Sequence, residues 1–325
     1  MKPLLVPVGD PCGVGPAIAV EAALEMARTE RVVLFGDAAH LRERAGDGDW
    51  LDAQECAPAG LSFVDCGPVA AAIRTAHRAT PEGGAAQLAA LDAAIEWANR
   101  GDGRAIVTGP TSKEAIALAG TPFTGQTEHL ARAAGLPSDA VTMMFLGPRL
   151  RVALATTHVG IRRLPEVLES KHVSRAIRHL VEALARLGHK SPRVVVGALN
   201  PHAGEARAFG DEDEDVVRPG VDACRPLDAE LIGPIGAETA FRRAASAEVD
   251  GVVAMFHDQA TIASKLLDWG EAVNVTWGLP FLRTSVDHGV AYDAAAKDAA
   301  SPDGMRAALR LAVRLTQPED GRDHD

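Results

Sequence analysis

The chain has 325 residues and a mass of 34.0 kDa, with 47% hydrophobic and 24% charged residues and a formal net charge of -11 at pH 7. A chain of this length buries a large core and usually divides it between two domains. The acidic balance excludes an extended nucleic-acid surface, which needs an excess of Lys and Arg, and no apolar run approaches the roughly 20 residues of a membrane span.

The N-terminal run LLVPV reads as a first strand rather than a signal peptide. It leads through the turn GDPCGVGP into a helix expected from about Ala17 to Ala27. RVVLFG and LSFVDCG are the next strands, and the segment from Thr80 to Asn99 has helical spacing with Pro81 in its first turn. RAIVTGP is a strand and TSKEAIALAG opens a helix, so strands and helices alternate over the first 125 residues. That alternation predicts a largely parallel, doubly wound sheet. VTMMFLG and LRVALATTH suggest a hairpin through Gly147 and Pro148, followed by a long helix from about Leu164 to Leu187. RVVVGAL is a strand; the acidic run DEDED at 211–215 reads as a solvated face, since it lacks the fixed carboxylate offsets of a calcium loop. AETAFRRA is a helix, GVVAMF and AVNVTWG are strands, and a last helix runs from about Pro302 to Thr316 before a GRDHD tail expected to fray. The cysteines Cys12, Cys56, Cys66 and Cys224 form no CxxC pair, a pattern that fits reduced thiols in the cytoplasm.

Three histidines each follow an apolar strand: His158 after RVALATT, His202 in VVVGALNPHAGE and His257 in GVVAMFHDQ. The mouth of a strand is where an α/β protein places chemistry, because the strand fixes the backbone while the loop faces the crevice. Any one of them reads equally well as a histidine bonded to a backbone carbonyl. Together they suggest a divalent ion with open positions, a catalytic rather than a structural arrangement. Asp258 is placed to support His257 or to accept a proton. His129, His172 and His288 compete for the same roles. Downstream lies a denser polar set: Lys265, Asn274, Arg283, Thr284, Ser285, Asp287 and His288. Arg283, between Leu282 and Thr284 in a turn after the strand VNVTWG, suits a fork that grips a carboxylate or phosphate. The glycines of GDPCGVGP either hold an anion through their amides or serve only a tight strand–helix turn. The motif is not GxGxxG, and it lacks the Lys-Ser/Thr of a nucleotide P-loop.

The blocks GDPCGVGP, IVTGPTSKEAI, FTGQTEHLA, TTHVG, LNPHAGE, FHDQATIASKLL and VNVTWGLPFLRTSVDHG, in this order, resemble the 4-hydroxythreonine-4-phosphate dehydrogenase family of vitamin B6 synthesis. The resemblance covers nearly the whole chain. It implies a two-domain α/β/α fold of the isocitrate and isopropylmalate dehydrogenase type with the active site in the interdomain cleft. The domains would be 1–125 plus 286–325, and 126–285. It further implies a cytoplasmic homodimer with the site shared across the interface, His158 and His202 from one subunit and His257 from the other binding zinc, or else magnesium, manganese or cobalt. Gln126, Thr127, Lys265, Asn274 and Arg283 would hold the anionic substrate, with Asp258 and Lys265 in catalytic roles. NAD would lie along Gly13 and Gly15, with Asp287 and His288 on its adenosine side. The implied reaction is oxidation of a phosphorylated 3-hydroxy acid, 4-phosphooxy-L-threonine or a close analogue, followed by decarboxylation.

The chain departs from the family pattern at several positions. GQTE replaces the usual GHTE, so an amide stands at Gln126 where the family places a histidine on the phosphate; His129, three residues on, is a candidate to compensate. Arg207 enters the loop after NPHAGE, and DHGVAYDAAAKD replaces DHGTAFDIAGKG. These changes point to a shifted acid, such as 4-phospho-threonate, 4-phospho-erythronate or a dihydrodiol dicarboxylate. Two other classes remain for the same residues: a metal-dependent hydrolase or lyase, and an anion-binding protein without chemistry.

Overall fold

The computed structural model describes residues 2–317 apart from 49 and 56. The tail GRDHD and Cys56 lie outside the described residues. Cys12, Cys66 and Cys224 are free thiols. Eleven strands occur among the described residues: β1 (Leu4–Pro7), β2 (Arg31–Gly36), β3 (Gly60–Asp65), β4 (Ala105–Thr108), β5 (Thr142–Leu146), β6 (Arg151–Leu154), β7 (Arg193–Gly197), β8 (Glu230–Ile235), β9 (Gly251–Ala254), β10 (Val273–Trp277) and β11 (Leu282–Ser285). They fall into two compact units, Met1–Ser138 with Leu279–Thr316, and Asp139–Gly278. The first unit thereby holds Gln126, Thr127 and Arg283, and the second holds the three strand-end histidines.

In the first unit the strand order is β3-β2-β1-β4-β11, every pair parallel. β1, β2 and β4 are buried along their whole length, as parallel strands covered on both faces must be. Leu5, Val33, Phe35 and Ile106 pack against Ala90, Leu91, Ala94 and Ile95 of the helix Pro81–Asn99. That helix begins where the sequence places it: Thr80 accepts the Gly83 N–H and Pro81 occupies the first turn. The first helix runs Gly15–Met26, starting earlier than expected because Pro16 opens it. Arg283 lies in β11 rather than in a turn.

The second unit has the order β10-β5-β6-β9-β7-β8. β5 and β6 form the expected antiparallel hairpin, β10 pairs antiparallel with β5, and β6, β9, β7 and β8 are mutually parallel. β8 is absent from the sequence reading. Its Gly233 and Pro234 break a strand pattern, and a proline is tolerated there because β8 is an edge strand. The single long helix expected over 164–187 is two helices, Leu164–Val167 and Ser170–Arg186. Leu168 and Glu169 are extended between them, and Glu169 and His172 form a reciprocal capping box that restarts the helix. His172 is thereby committed to a helix end.

The β5–β6 turn is held by a residue distant in sequence. Asp268, 1% exposed, accepts the backbone N–H of Arg149 at 3.3 Å and of Leu150 at 2.9 Å. Removing the carboxylate leaves buried donors without an acceptor. Asp268→Ala is therefore expected to lower stability by about 2–3 kcal/mol in urea unfolding. An unchanged midpoint would show that the turn holds itself.

Candidate functional site

Parallel pairing fixes where the histidines emerge. β6, β9 and β7 are adjacent and parallel, so the loops after them leave the same edge of the sheet. His158 follows β6, His257 opens the helix His257–Leu267 after β9, and His202 lies on the loop after β7. The rings of His158 and His257 face each other with centroids 5.5 Å apart and planes inclined at 42°. Two imidazoles that each place a nitrogen about 2.0–2.1 Å from one ion have centroids roughly 5–6 Å apart, so this pair fits a shared divalent cation. Within one chain the neighbouring parallel strands deliver the two rings together.

His202 is not gathered with them. Its backbone is left-handed, with φ 52°, and its ring packs on Phe209 with centroids 6.4 Å apart. Among the described residues no group of three His, Cys, Asp or Glu side chains converges closely enough to hold a metal. His158 and His257 lie together, and His202 stands at the neighbouring strand end. Asp258 bonds Nδ1 of His257 at 2.7 Å. A proton on that nitrogen leaves the Nε2 lone pair for an ion.

The loops that carry the histidines are stitched by residues the sequence reading passed over. Asp213, fully buried inside the acidic run, accepts the N–H of Leu199 at 2.7 Å and of Asn200 at 2.9 Å. The run is thus not uniformly a solvated face. Glu212 accepts from Asn200 Nδ2 at 2.9 Å, while Asp211 and Asp215 pair with Arg207, and Glu214 with Arg218. Arg207 is accordingly engaged with its own loop. Gln259 accepts the Met255 N–H at 2.8 Å and donates to the Ala198 carbonyl at 3.0 Å, tying the His257 turn to the His202 loop. Thr156 donates its hydroxyl to the Met255 carbonyl at 2.7 Å, tying in the His158 loop. Only the motif HDQ hinted at Gln259.

The first unit gathers polar side chains around Arg283, which is 3% exposed. Its guanidinium donates to Thr108 Oγ1 from Nε at 3.1 Å and from Nη2 at 2.8 Å, and Nη2 also donates to Gln126 Oε1. Gln126 Nε2 donates to the Gly109 carbonyl at 3.1 Å and to Thr111 Oγ1. Thr127 is buried beside it in the first turn of the helix Gln126–Ala133. Burial pushes the Arg283 pKa down to about 9, opposed by the nearby Glu128 carboxylate. The group remains cationic at neutral pH, and a buried cation favours an anionic ligand. His129 does not enter this pocket. It bonds Asp92 at 2.6 Å and packs against Phe123, so the compensation suggested for Gln126 is not realised.

Lys265 and Asn274 belong to the second unit. Lys265 is exposed on the helix that begins at His257. Asn274 Oδ1 in β10 is buried without a hydrogen-bond partner, an acceptor that calls for a donor. Gly13 and Gly15 have a packing reason of their own. A Cβ on Gly13 would lie 2.1 Å from Val290 Cγ1, and one on Gly15 2.2 Å from the Val8 carbonyl oxygen. His288 is exposed, with Nδ1 3.0 Å from the Gly289 carbonyl oxygen, and Asp287 is half-buried beside it.

The sequence pattern of the family described as pyridoxal phosphate biosynthetic protein PdxA matches residues 27–312. The chain belongs to this family. It is an oxidoreductase of the dehydrogenase type, as its relatives are named. A 4-hydroxythreonine-4-phosphate dehydrogenase of Chromobacterium violaceum is 41% identical, covering 96% of each chain. A putative D-threonate 4-phosphate dehydrogenase of Cutibacterium acnes is 37% identical, covering 95% of this chain and 93% of that one. The crystal structure of the 4-hydroxythreonine-4-phosphate dehydrogenase of Klebsiella pneumoniae superposes with a TM-score of 0.81 at 33% identity, covering 98% and 100% of the two chains. Isocitrate dehydrogenase of Methylococcus capsulatus, at 15% identity and a TM-score of 0.53 over 96% of this chain and 85% of that one, shares the fold. This bears out the expected fold type. No helix among the described residues is long and apolar enough to cross a membrane.

Inorganic phosphate is expected to raise the melting temperature of this PdxA-family chain through Arg283. At about 100 times its dissociation constant, a single-site ligand adds about 2.7 kcal/mol. In Arg283→Met the increment should vanish in differential scanning fluorimetry; an equal increment in both proteins would place the anion elsewhere.

Proposed function

We propose that this protein oxidises a phosphorylated 3-hydroxy acid with NAD and a divalent ion, zinc being the first candidate, and that the resulting 3-oxo acid loses carbon dioxide. The observation that carries the reading is the facing pair His158 and His257 at the ends of adjacent parallel strands. His158 and His257 would hold the ion, with His202 as the third ligand once its loop turns inward. An ion held there would supply Lewis acidity toward a neighbouring hydroxyl, and NAD would supply the hydride acceptor.

The protein's own groups do the rest. Asp258 fixes the His257 ring and sits where an alcohol proton can be received. Arg283, held by Thr108 and Gln126, grips the anionic end of the substrate. The Asn274 acceptor orients a substrate hydroxyl or ammonium group. Lys265 brings an ammonium group to the negative charge that develops as carbon dioxide leaves. NAD would run past Gly13, Gly15, Asp287 and His288. A cytoplasmic location agrees with the free thiols.

The helix that carries His257 and Lys265 supports a homodimer. Ile262 is 61% exposed, Leu266 80% and Trp269 79%, an apolar face that a second copy would cover while bringing Lys265 to a shared site. Leu266→Glu is expected to shift the protein to monomer in analytical ultracentrifugation and to lower turnover more than tenfold. A fully active monomer would overturn the shared site.

A second substrate reading rests on Gln126. Its amide oxygen faces Arg283, so the pocket holds no second cation at this position, and a carboxylate or a less highly charged acid becomes a competitor of phosphate. The test is a panel of phosphorylated and non-phosphorylated hydroxy acids with NAD and added zinc or magnesium, followed at 340 nm. Wild type should turn over at least one phosphorylated member. His257→Ala and His202→Ala should fold normally and lose at least about 1000-fold in kcat/KM. Full activity in either variant would remove that histidine from the site, and no NADH with any acid would favour a hydrolase or lyase.

A further inference from the structure

The segment 286–292 crosses the Gly-rich turn and is fastened to it at two points. The Val290 carbonyl accepts the Val14 N–H at 3.1 Å, and the Val290 side chain fills the space left by the missing Cβ of Gly13. Two residues on, the Tyr292 hydroxyl donates to Asp10 Oδ2 at 2.7 Å. Between the anchors Ala291 takes a left-handed φ of 50°, a conformation disfavoured for a residue with a Cβ and retained where its surroundings impose it.

Asp10 is fully buried. Its Oδ1 accepts the Cys12 N–H at 2.9 Å, and its Oδ2 also accepts from Gln87 Nε2 at 3.3 Å. Gln87 in turn accepts the Ser112 N–H at 2.9 Å. The bond from Tyr292 is the shortest of the three to this carboxylate, and a hydroxyl on a buried carboxylate is among the stronger hydrogen bonds a protein makes. Burial, together with the bond to Asp10, pushes the Tyr292 pKa up, so the phenol keeps its proton and remains a donor. Tyr292 is the only tyrosine in the chain.

We propose that Tyr292 is a positioning residue: its hydroxyl locks the 286–292 segment onto the Gly-rich turn and sets the wall against which the dinucleotide is held. This rests on the reading of NAD as the co-substrate, whereas the lock itself is a property of the ligand-free protein. The Asp10 carboxylate joins the two sides, so a change on the segment is felt in the turn, and through Gln87 at Ser112.

The test compares wild type with Tyr292→Phe, which removes one oxygen and keeps the ring. In hydrogen exchange of the ligand-free proteins, amides of 286–292 should exchange roughly tenfold faster in the variant, the loss expected for one hydrogen bond to a charged acceptor. Amides of the helix Pro81–Asn99 should keep their rates. In calorimetry the NAD dissociation constant should rise roughly three- to tenfold, while inorganic phosphate binds as before. Unchanged exchange over 286–292 would overturn the lock. Faster exchange with unchanged NAD affinity would overturn the positioning role and leave a purely structural contact. If wild type binds no NAD, the co-substrate reading and the positioning role fall together, and the exchange result still decides the lock.

Discussion

Backbone N–H groups that leave a strand or turn inside a core must find acceptors, and in this chain single buried aspartates supply them. Asp10 does so for the Gly-rich turn, Asp213 for the loop that carries His202, and Asp268 for the β5–β6 turn. Asp213 and Asp268 each reach a segment distant from them in the sequence, whereas Asp10 serves its own turn. Without these acceptors the strand ends would expose unsatisfied donors, and the parallel order would not fix where the histidines point.

Much of this was legible in the residues. Apolar runs of β-branched character marked nine of the eleven described strands, all but β8 and β11, since a strand buried on both faces leaves a continuous signal. The three histidines announced themselves by following such runs. Other features depend on contacts that spacing does not encode. Asp213 looks like every other carboxylate in DEDED, and only the fold shows that it is fully buried under the His202 loop. Glu169 and His172 carry no obvious helix-stop signal, because their capping bonds are reciprocal rather than compositional. β8 contains the Gly-Pro pair that argues against a strand, and it survives by lying at the sheet edge.

The nearness of His158 and His257 within one chain is a matter of topology. β6 and β9 are adjacent, although four α-helices and the strands β7 and β8 separate them in the sequence. The parallel crossover returns His257 to the side of His158. The surroundings of Arg283 show the converse. Arg283 stood out from its sequence neighbours alone, and its partner Thr108 lies in a block already singled out by its resemblance to the family.

Gln126 has a consequence for how the pocket responds to its surroundings. An imidazole in contact with a bound anion changes charge near neutrality, so affinity would track the acidity of the medium through the protein. Gln126 and Thr108, the side chains bonded to Arg283, carry no proton that titrates in that range. At this contact the protein therefore presents a constant charge, and acidity is sensed by the ligand: a phosphate monoester changes its own ionisation near pH 6 and a carboxylate does not.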